Sequence, residues 1–188
     1  MSASTSLTIV TDSIKKHNST IPSSTVPTES NFDAQHSLFF QRCNELPSPQ
    51  TVRAQARAQH FAGIKTDKRK TFRLAGPNVH PPPVLFESLG LFVKWGTGVR
   101  IAEGQTLYAL RNCLEAAVPV PEIYGWRTDG KETFLYMEAV GGQTLEQAWD
   151  TMEVNDRLDL CRKLRTIFEE LRRLEQDPSY TFVGGFAL

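Results

Sequence analysis

The residues with the most chemical promise lie between Leu89 and Trp149. Lys94 follows the apolar run Leu91-Phe92-Val93, where an ammonium must either reach water along its aliphatic stem or find an anion. Glu103 stands in the first turns of a helix expected from about Val99, and it is the nearest carboxylate that can hold such a lysine in place. A lysine and glutamate so paired can grip the α- and β-phosphates of a nucleotide. Further on, Tyr136-Met137-Glu138-Ala139-Val140 runs into Gly141-Gly142. A strand broken by a glycine pair leaves main-chain N–H and C=O groups free for an adenine ring. Glu138, Ala139 and Val140 are the positions expected to present them, with Tyr136 and Met137 lining the pocket. Spacing alone also allows a plainer account, in which lysine and glutamate are both solvated and the strand passes into an ordinary loop.

The elements that must position these residues follow from local chemistry. Val84-Leu85-Phe86 and Leu91-Phe92-Val93-Lys94-Trp95, joined by a glycine-containing turn, predict an antiparallel pair with Lys94 at the end of its strand. On the following helix Ile101, Leu107, Leu110 and Leu114 approximate an apolar stripe, with Glu103 and Arg111 off it. Pro119 and Pro121 stop that helix and push their predecessors toward extended geometry. Glu122 to Trp126 and Thr133 to Met137 then read as strands around a hairpin turn at Thr128-Asp129-Gly130-Lys131. Thr144-Leu145-Glu146-Gln147 has capping-box form and opens a short helix through Trp149.

Outside this stretch, residues 1–31 are rich in Ser, Thr and Pro and are expected to form a disordered tail, with Leu7-Thr8-Ile9-Val10 as its one apolar cluster. Around Phe32 to Leu46, Leu38-Phe39-Phe40 predicts a first ordered segment packing on the domain, which is expected over residues 32–188. Pro47-Ser48-Pro49 opens a helix through about Phe61. Arg53, Arg57, Lys65, Lys68, Arg69 and Lys70 make that region basic, which reads first as a solvated face and second as a phosphate contact. Thr71 to Leu74 is a candidate short strand. From Asn155 to about Glu175, Leu158, Cys161, Leu164, Ile167 or Phe168, Leu171 and Leu174 recur at helical spacing, which predicts a helix lying on a core along one side.

Composition narrows the function classes. The 188 residues are 40% hydrophobic, enough for one domain with a core, and the formal net charge is zero. A neutral chain offers no polybasic surface for nucleic acid or anionic lipid. No apolar run reaches the roughly 18 residues that a membrane-spanning helix needs. Cys43, Cys113 and Cys161 stand in no metal-binding or CxxC spacing, which favours free thiols in a reducing, cytoplasmic setting.

The segments LPSPQTVRAQA, RLAGPNVHPPPVLFESLGLFVKWG, RIAEGQTLYALR, VPVPEIYGW, FLYMEAVGGQTLEQAW and LRRLEQDP resemble, in this order, the fungal branch of the aminoglycoside phosphotransferase-like family. The resemblance covers roughly residues 46–183. It implies an α+β, protein-kinase-like N-lobe built of an antiparallel sheet plus one helix over about residues 70–140. A hinge and the first helices of a truncated C-lobe would follow over residues 141–188. It further implies ATP and Mg²⁺ as cofactors, a small-molecule hydroxyl as acceptor, Lys94 as phosphate-binding lysine, Glu103 as its partner and Glu138 to Val140 as the hinge.

Two departures from the family pattern stand in the sequence. No GxGxxG loop precedes Lys94, and Leu74 to Pro77 and Ser88 to Gly90 are poor substitutes for one. All four histidines (His17, His36, His60, His80) precede Lys94 and the last aspartate is Asp177, so a catalytic loop and metal ligands have no place after the hinge. The resemblance therefore implies a fragment that ends where the larger lobe should begin, inactive in phosphoryl transfer by itself. The alternative is a non-catalytic nucleotide-binding or protein-interaction module, which the apolar end Phe182 to Leu188 would suit.

Overall fold

The computed structural model describes residues 26–61, 81–114 and 117–174. The expected features at Leu7 to Val10, Lys65 to Lys70, Thr71 to Leu74 and Phe182 to Leu188 lie outside these residues, as does the expected end of the last helix at Glu175. The described residues form an α+β structure around a five-stranded sheet in which every neighbouring pair is antiparallel. In chain order the elements are β1 (Phe32–Asp33), α1 (Pro49–Phe61), β2 (Val84–Phe86), β3 (Leu91–Gly96), α2 (Ile101–Leu114), β4 (Ile123–Asp129), β5 (Glu132–Glu138), α3 (Leu145–Ala148) and α4 (Val154–Arg172). The spatial order of strands is β1-β4-β5-β3-β2.

Strand β5 lies in the middle and is buried from Phe134 to Met137 on both faces. Alternation along the strands divides the core in two. Leu91, Val93, Phe134 and Tyr136 point to one face and pack with Phe39, Leu46, Val52, Val84 and Tyr124. Leu135 and Met137 point to the other and pack with Val99, Ile123 and Trp126, and with Ile101, Leu107 and Tyr108 from the α2 side. Ile123 and Trp126 share this second face although their spacing is odd. A register shift between Ile123 and Gly125 inserts the extra residue that makes this possible.

The first face draws on residues that precede the stretch of about 70–140. Helix α1 covers it, with Val52 completely buried and Ala56 one turn on packed against the same cluster. Ser48 caps α1, its Oγ accepting from the Thr51 amide at 3.2 Å, and Pro49 takes the first helical position, where no amide is required. The Gln59 side-chain amide donates to the Leu85 carbonyl at 2.5 Å and ties α1 to the sheet edge. The segment before α1 belongs to the same unit, because Phe39 and Leu46 are buried in that cluster.

Arg53 fixes the other end of α1. Its guanidinium donates to Asp129 at 2.7 Å and to Glu132 at 2.6 and 2.9 Å while lying over the Phe134 ring. These bonds with Glu132, then Asp129, raise its pKa further above the ordinary arginine value. Arg53 is thus an intramolecular clamp, neither the solvated charge nor the phosphate contact expected of it. Asp129 and Glu132 pair directly across β4 and β5, so the hairpin turns through Gly130-Lys131, one residue later than the sequence pattern placed it. Arg53→Ala leaves two carboxylates facing each other across the strands and removes a forked donor. The expected loss is about 1–2 kcal/mol, read as a lower urea midpoint with unchanged slope.

Tyr136 is fully buried on the α1 face, and its hydroxyl donates to the Pro47 carbonyl at 2.8 Å. Burial pushes its pKa well above that of a free phenol. An acid whose folded pKa is raised binds its proton more firmly in the folded than in the unfolded chain. Its contribution is therefore complete below the unfolded value of about 10 and is lost as pH climbs above it. The expected result is a stability that falls above pH ~10 and falls less steeply in Tyr136→Phe, measured by urea unfolding across that range.

Beyond β5 the chain leaves the sheet. Thr144 caps α3 reciprocally with Gln147, as the sequence pattern predicts. Helix α4 forms where expected, but its apolar stripe lies on no core: no residue of it is buried, and Val154, Leu158, Leu164 and Phe168 are exposed. The periodicity reports a face able to pack, and among the described residues nothing covers it. No described helix is long and apolar enough to cross a membrane.

Candidate functional site

Lys94 sits within β3, paired with Leu135 of β5, since Trp95 and Gly96 continue the ladder opposite Phe134 and Thr133. It does not end its strand, as the sequence alone implied. Alternation places it on the Phe92 side of β3, the side that packs toward α2. There its ammonium forms an ion pair with the Glu103 carboxylate.

The geometry of Glu103 follows from its place in the helix. It lies in the first turn of α2, where an acid is favoured by the unpaired amides and the dipole. One carboxylate oxygen accepts from the Arg100 amide at 3.3 Å, and the other meets Lys94. The same side chain thus closes the helix start and holds the lysine, which orients it without a further partner.

What brings the helix this close is Gly104. A β-carbon built there would stand 3.1 Å from Leu135 and 3.1 Å from the Trp126 ring. Leu135 is the residue opposite Lys94, so this tight contact between α2 and the sheet lies beside the ion pair. The buried positions of α2 are Gly104, Gln105, Ala109 and Leu114. Only Leu114 belongs to the expected stripe among them, although Ile101 and Leu107 pack on the edge of the core. Sequence reasoning missed Gln105, a buried polar residue whose amide donates to the Pro27 carbonyl at 2.8 Å. Its partner is far away in the chain, and no local pattern announces it.

Both side chains of the Lys94–Glu103 pair keep about two-fifths of their surface in solvent. A pair so placed adds only about 0–1 kcal/mol to stability. Its ammonium is held and oriented, yet open on one side to an incoming anion.

The hinge positions are less uniform than expected. The Glu138 amide donates to the Glu122 carbonyl at 2.8 Å, and the Ala139 amide donates to the Gly90 carbonyl at 3.0 Å. Both donors are therefore engaged. The Glu138 carboxylate accepts from the Glu122 amide at 3.1 Å and so locks the end of β5 to the start of β4. Among the described residues the amide of Val140 has no acceptor, and its side chain is exposed. Of the three hinge positions, Val140 is the one whose N–H remains for a ligand. Tyr136 does not line this region, since it points to the α1 face. Met137 lies on the α2 face and is nearly buried.

An ATP phosphate would find the Lys94 ammonium, and an adenine ring the Val140 amide. A Mg²⁺ ion finds no such fit. Glu103 is engaged through both oxygens, and no group of three or more potential ligands comes together among the described residues. Comparisons of the chain with models of protein families, with curated proteins and with solved structures each found no match.

Proposed function

We propose that this chain is the nucleotide-holding part of an ATP-dependent small-molecule phosphotransferase with a protein-kinase-like N-lobe, resembling the fungal aminoglycoside phosphotransferase-like family. The observation that carries the reading is the ion pair between Lys94, inside an inner strand of the sheet, and Glu103, in the first turn of the helix packed on that sheet. In this reading Lys94 holds the α- and β-phosphates, Glu103 holds Lys94, and the main chain at Val140 receives the adenine edge. Glu138 and Ala139 shape the hinge through bonds to Glu122 and Gly90. Magnesium would supply charge neutralisation at the phosphates. Among the described residues no side chains form a cage for it, and the role proposed for them is to bind and orient the nucleotide.

A second reading, a non-catalytic nucleotide-binding or protein-interaction module, draws support from the uncovered apolar face of α4. Its nucleotide-binding form shares the Lys94–Glu103 site with the first reading and parts from it at the chemistry. Titration with ATP, with and without Mg²⁺, tests the shared step by melting temperature and calorimetry. A folded protein that ignores millimolar ATP would overturn both nucleotide readings. Transfer of labelled phosphate to any small-molecule hydroxyl by the purified chain would overturn the assignment of a purely binding role.

A further inference from the structure

Residues 26–31 were expected to belong to a disordered tail, yet they are docked. Val26 is buried, and the Glu29 carbonyl accepts from the Trp126 indole at 2.8 Å. The Asn31 side chain accepts from the Thr128 amide at 3.0 Å. Phe32 then pairs with Trp126 as a strand residue and sets its ring between Trp126 of β4, at 4.6 Å, and Tyr108 of α2, at 5.4 Å. Asp33 continues the strand opposite Gly125 and bonds Arg127 at 2.6 Å. A β-carbon at Gly125 would lie 2.3 Å from the Phe32 carbonyl, so glycine is what lets this segment lie flat on β4. The segment crosses the seam between α2 and the sheet and grips both.

We propose that Val26 to Asp33 is a clasp that sets the rotation of α2, and that Gln105 is the positioning residue through which it keeps Glu103 on Lys94. Gln105 is two residues beyond Glu103, roughly 200° around the helix, so fixing one fixes where the other points. The ion pair is half-exposed and too weak to hold the helix itself. The buried amide of Gln105, by contrast, loses its partner and its solvent together if the helix turns away from the Pro27 carbonyl. Holding strength thus lies on the clasp side of α2, and orientation is passed to the exposed side. The geometric part stands without a ligand; its consequence for nucleotide affinity rests on the function proposed above.

The test uses the full chain with Gln105→Leu, which keeps the bulk but cannot donate, and Phe32→Leu, which touches neither Lys94 nor Glu103. The side-chain ¹⁵N–¹H signal of the Lys94 ammonium, identified by its loss in Lys94→Met, reports the ion pair. Calorimetry reports ATP affinity. Both variants should keep the far-ultraviolet dichroism and cooperative unfolding of the parent, shift the Lys94 signal toward its position in Glu103→Gln, and weaken ATP binding about five- to tenfold. In the Gln105→Leu background, Glu103→Gln should cost little further affinity. A folded variant with an unmoved Lys94 signal, or a Glu103→Gln penalty that persists in full beside Gln105→Leu, overturns the clasp. If the parent binds no ATP, the proposed function falls and the ammonium signal alone decides the clasp. Phe32→Leu carries the test if Gln105→Leu does not fold.

Discussion

Lys94→Met should abolish the response to ATP that the proposed function requires, while leaving the unliganded fold almost untouched. The two halves of that expectation come from the same geometry. In the folded chain both Lys94 and Glu103 are about 40% exposed, so the attraction between them is worth only about 0–1 kcal/mol. Methionine keeps most of the aliphatic stem, and Glu103 retains its bond from the Arg100 amide. The unliganded melting temperature should therefore move by no more than about 2–4 °C. Under the proposed function a bound triphosphate would depend on the ammonium much more strongly, because a charge-assisted bond to phosphate in a partly desolvated site has no replacement. At a concentration one hundred times its dissociation constant, a ligand stabilises the folded state by about 2.7 kcal/mol. For a chain of this size that is a rise of roughly 5–10 °C, and Lys94→Met should lose nearly all of it. Glu103→Gln should lose part, since the amide still reaches the lysine but no longer fixes its charge. An ATP-induced rise of the same size in Lys94→Met would remove Lys94 from the site, and a Lys94→Met protein that fails to fold would overturn the small stability contribution assigned to the pair.

How much of this was legible beforehand depends on the range of the interaction concerned. Features set by neighbouring residues were visible: the Ser48–Pro49 helix start, the β2–β3 pair, the Thr144–Gln147 box, the break after β5. The pairing of Lys94 with Glu103 was one of two accounts that the spacing allows, and the order of the flanking segments, not the spacing, singled it out. Features set by distant partners were not. Helix α1 shows few apolar residues, and only its contact with the sheet reveals Val52 as a fully buried anchor. The hairpin was placed one residue early because Asp-Gly is the strongest local turn signal. In the fold, Asp129 stays in the strand, where Arg53 and Glu132 hold it. The docking of residues 26–31 depends on acceptors that every sequence has, main-chain carbonyls, met by donors on Gln105 and Trp126 far along the chain. Hinge amides follow the same rule: Glu138 and Ala139 lose their freedom to Glu122 and Gly90, which composition cannot foretell.

Gly104→Val should damage stability and nucleotide response together, which separates it from Lys94→Met. Alanine at this position meets opposing effects. Its β-carbon presses on Leu135 and on the Trp126 ring at 3.1 Å, yet a helix gains about 1 kcal/mol when glycine becomes alanine. The two nearly cancel. Valine adds two methyl groups beyond that β-carbon and forfeits much of the helical advantage. Trp126 and Leu135 are fully buried and have nowhere to retreat. Overpacking of this kind costs about 1–3 kcal/mol. The strain is relieved most readily by moving α2 away from the sheet, and the residue of the sheet it leaves is Leu135, the partner of Lys94 across the ladder. Glu103 moves with the helix, and the ion pair opens even though neither of its members has been changed. Urea unfolding should show a lower midpoint, and ATP titration of the still-folded protein should show a weaker response than in Gly104→Ala. A Gly104→Val protein with the parent's midpoint would mean that α2 does not press on the sheet here. A lower midpoint with undiminished ATP affinity would mean that the closeness of the helix is a matter of packing alone and does not govern the site.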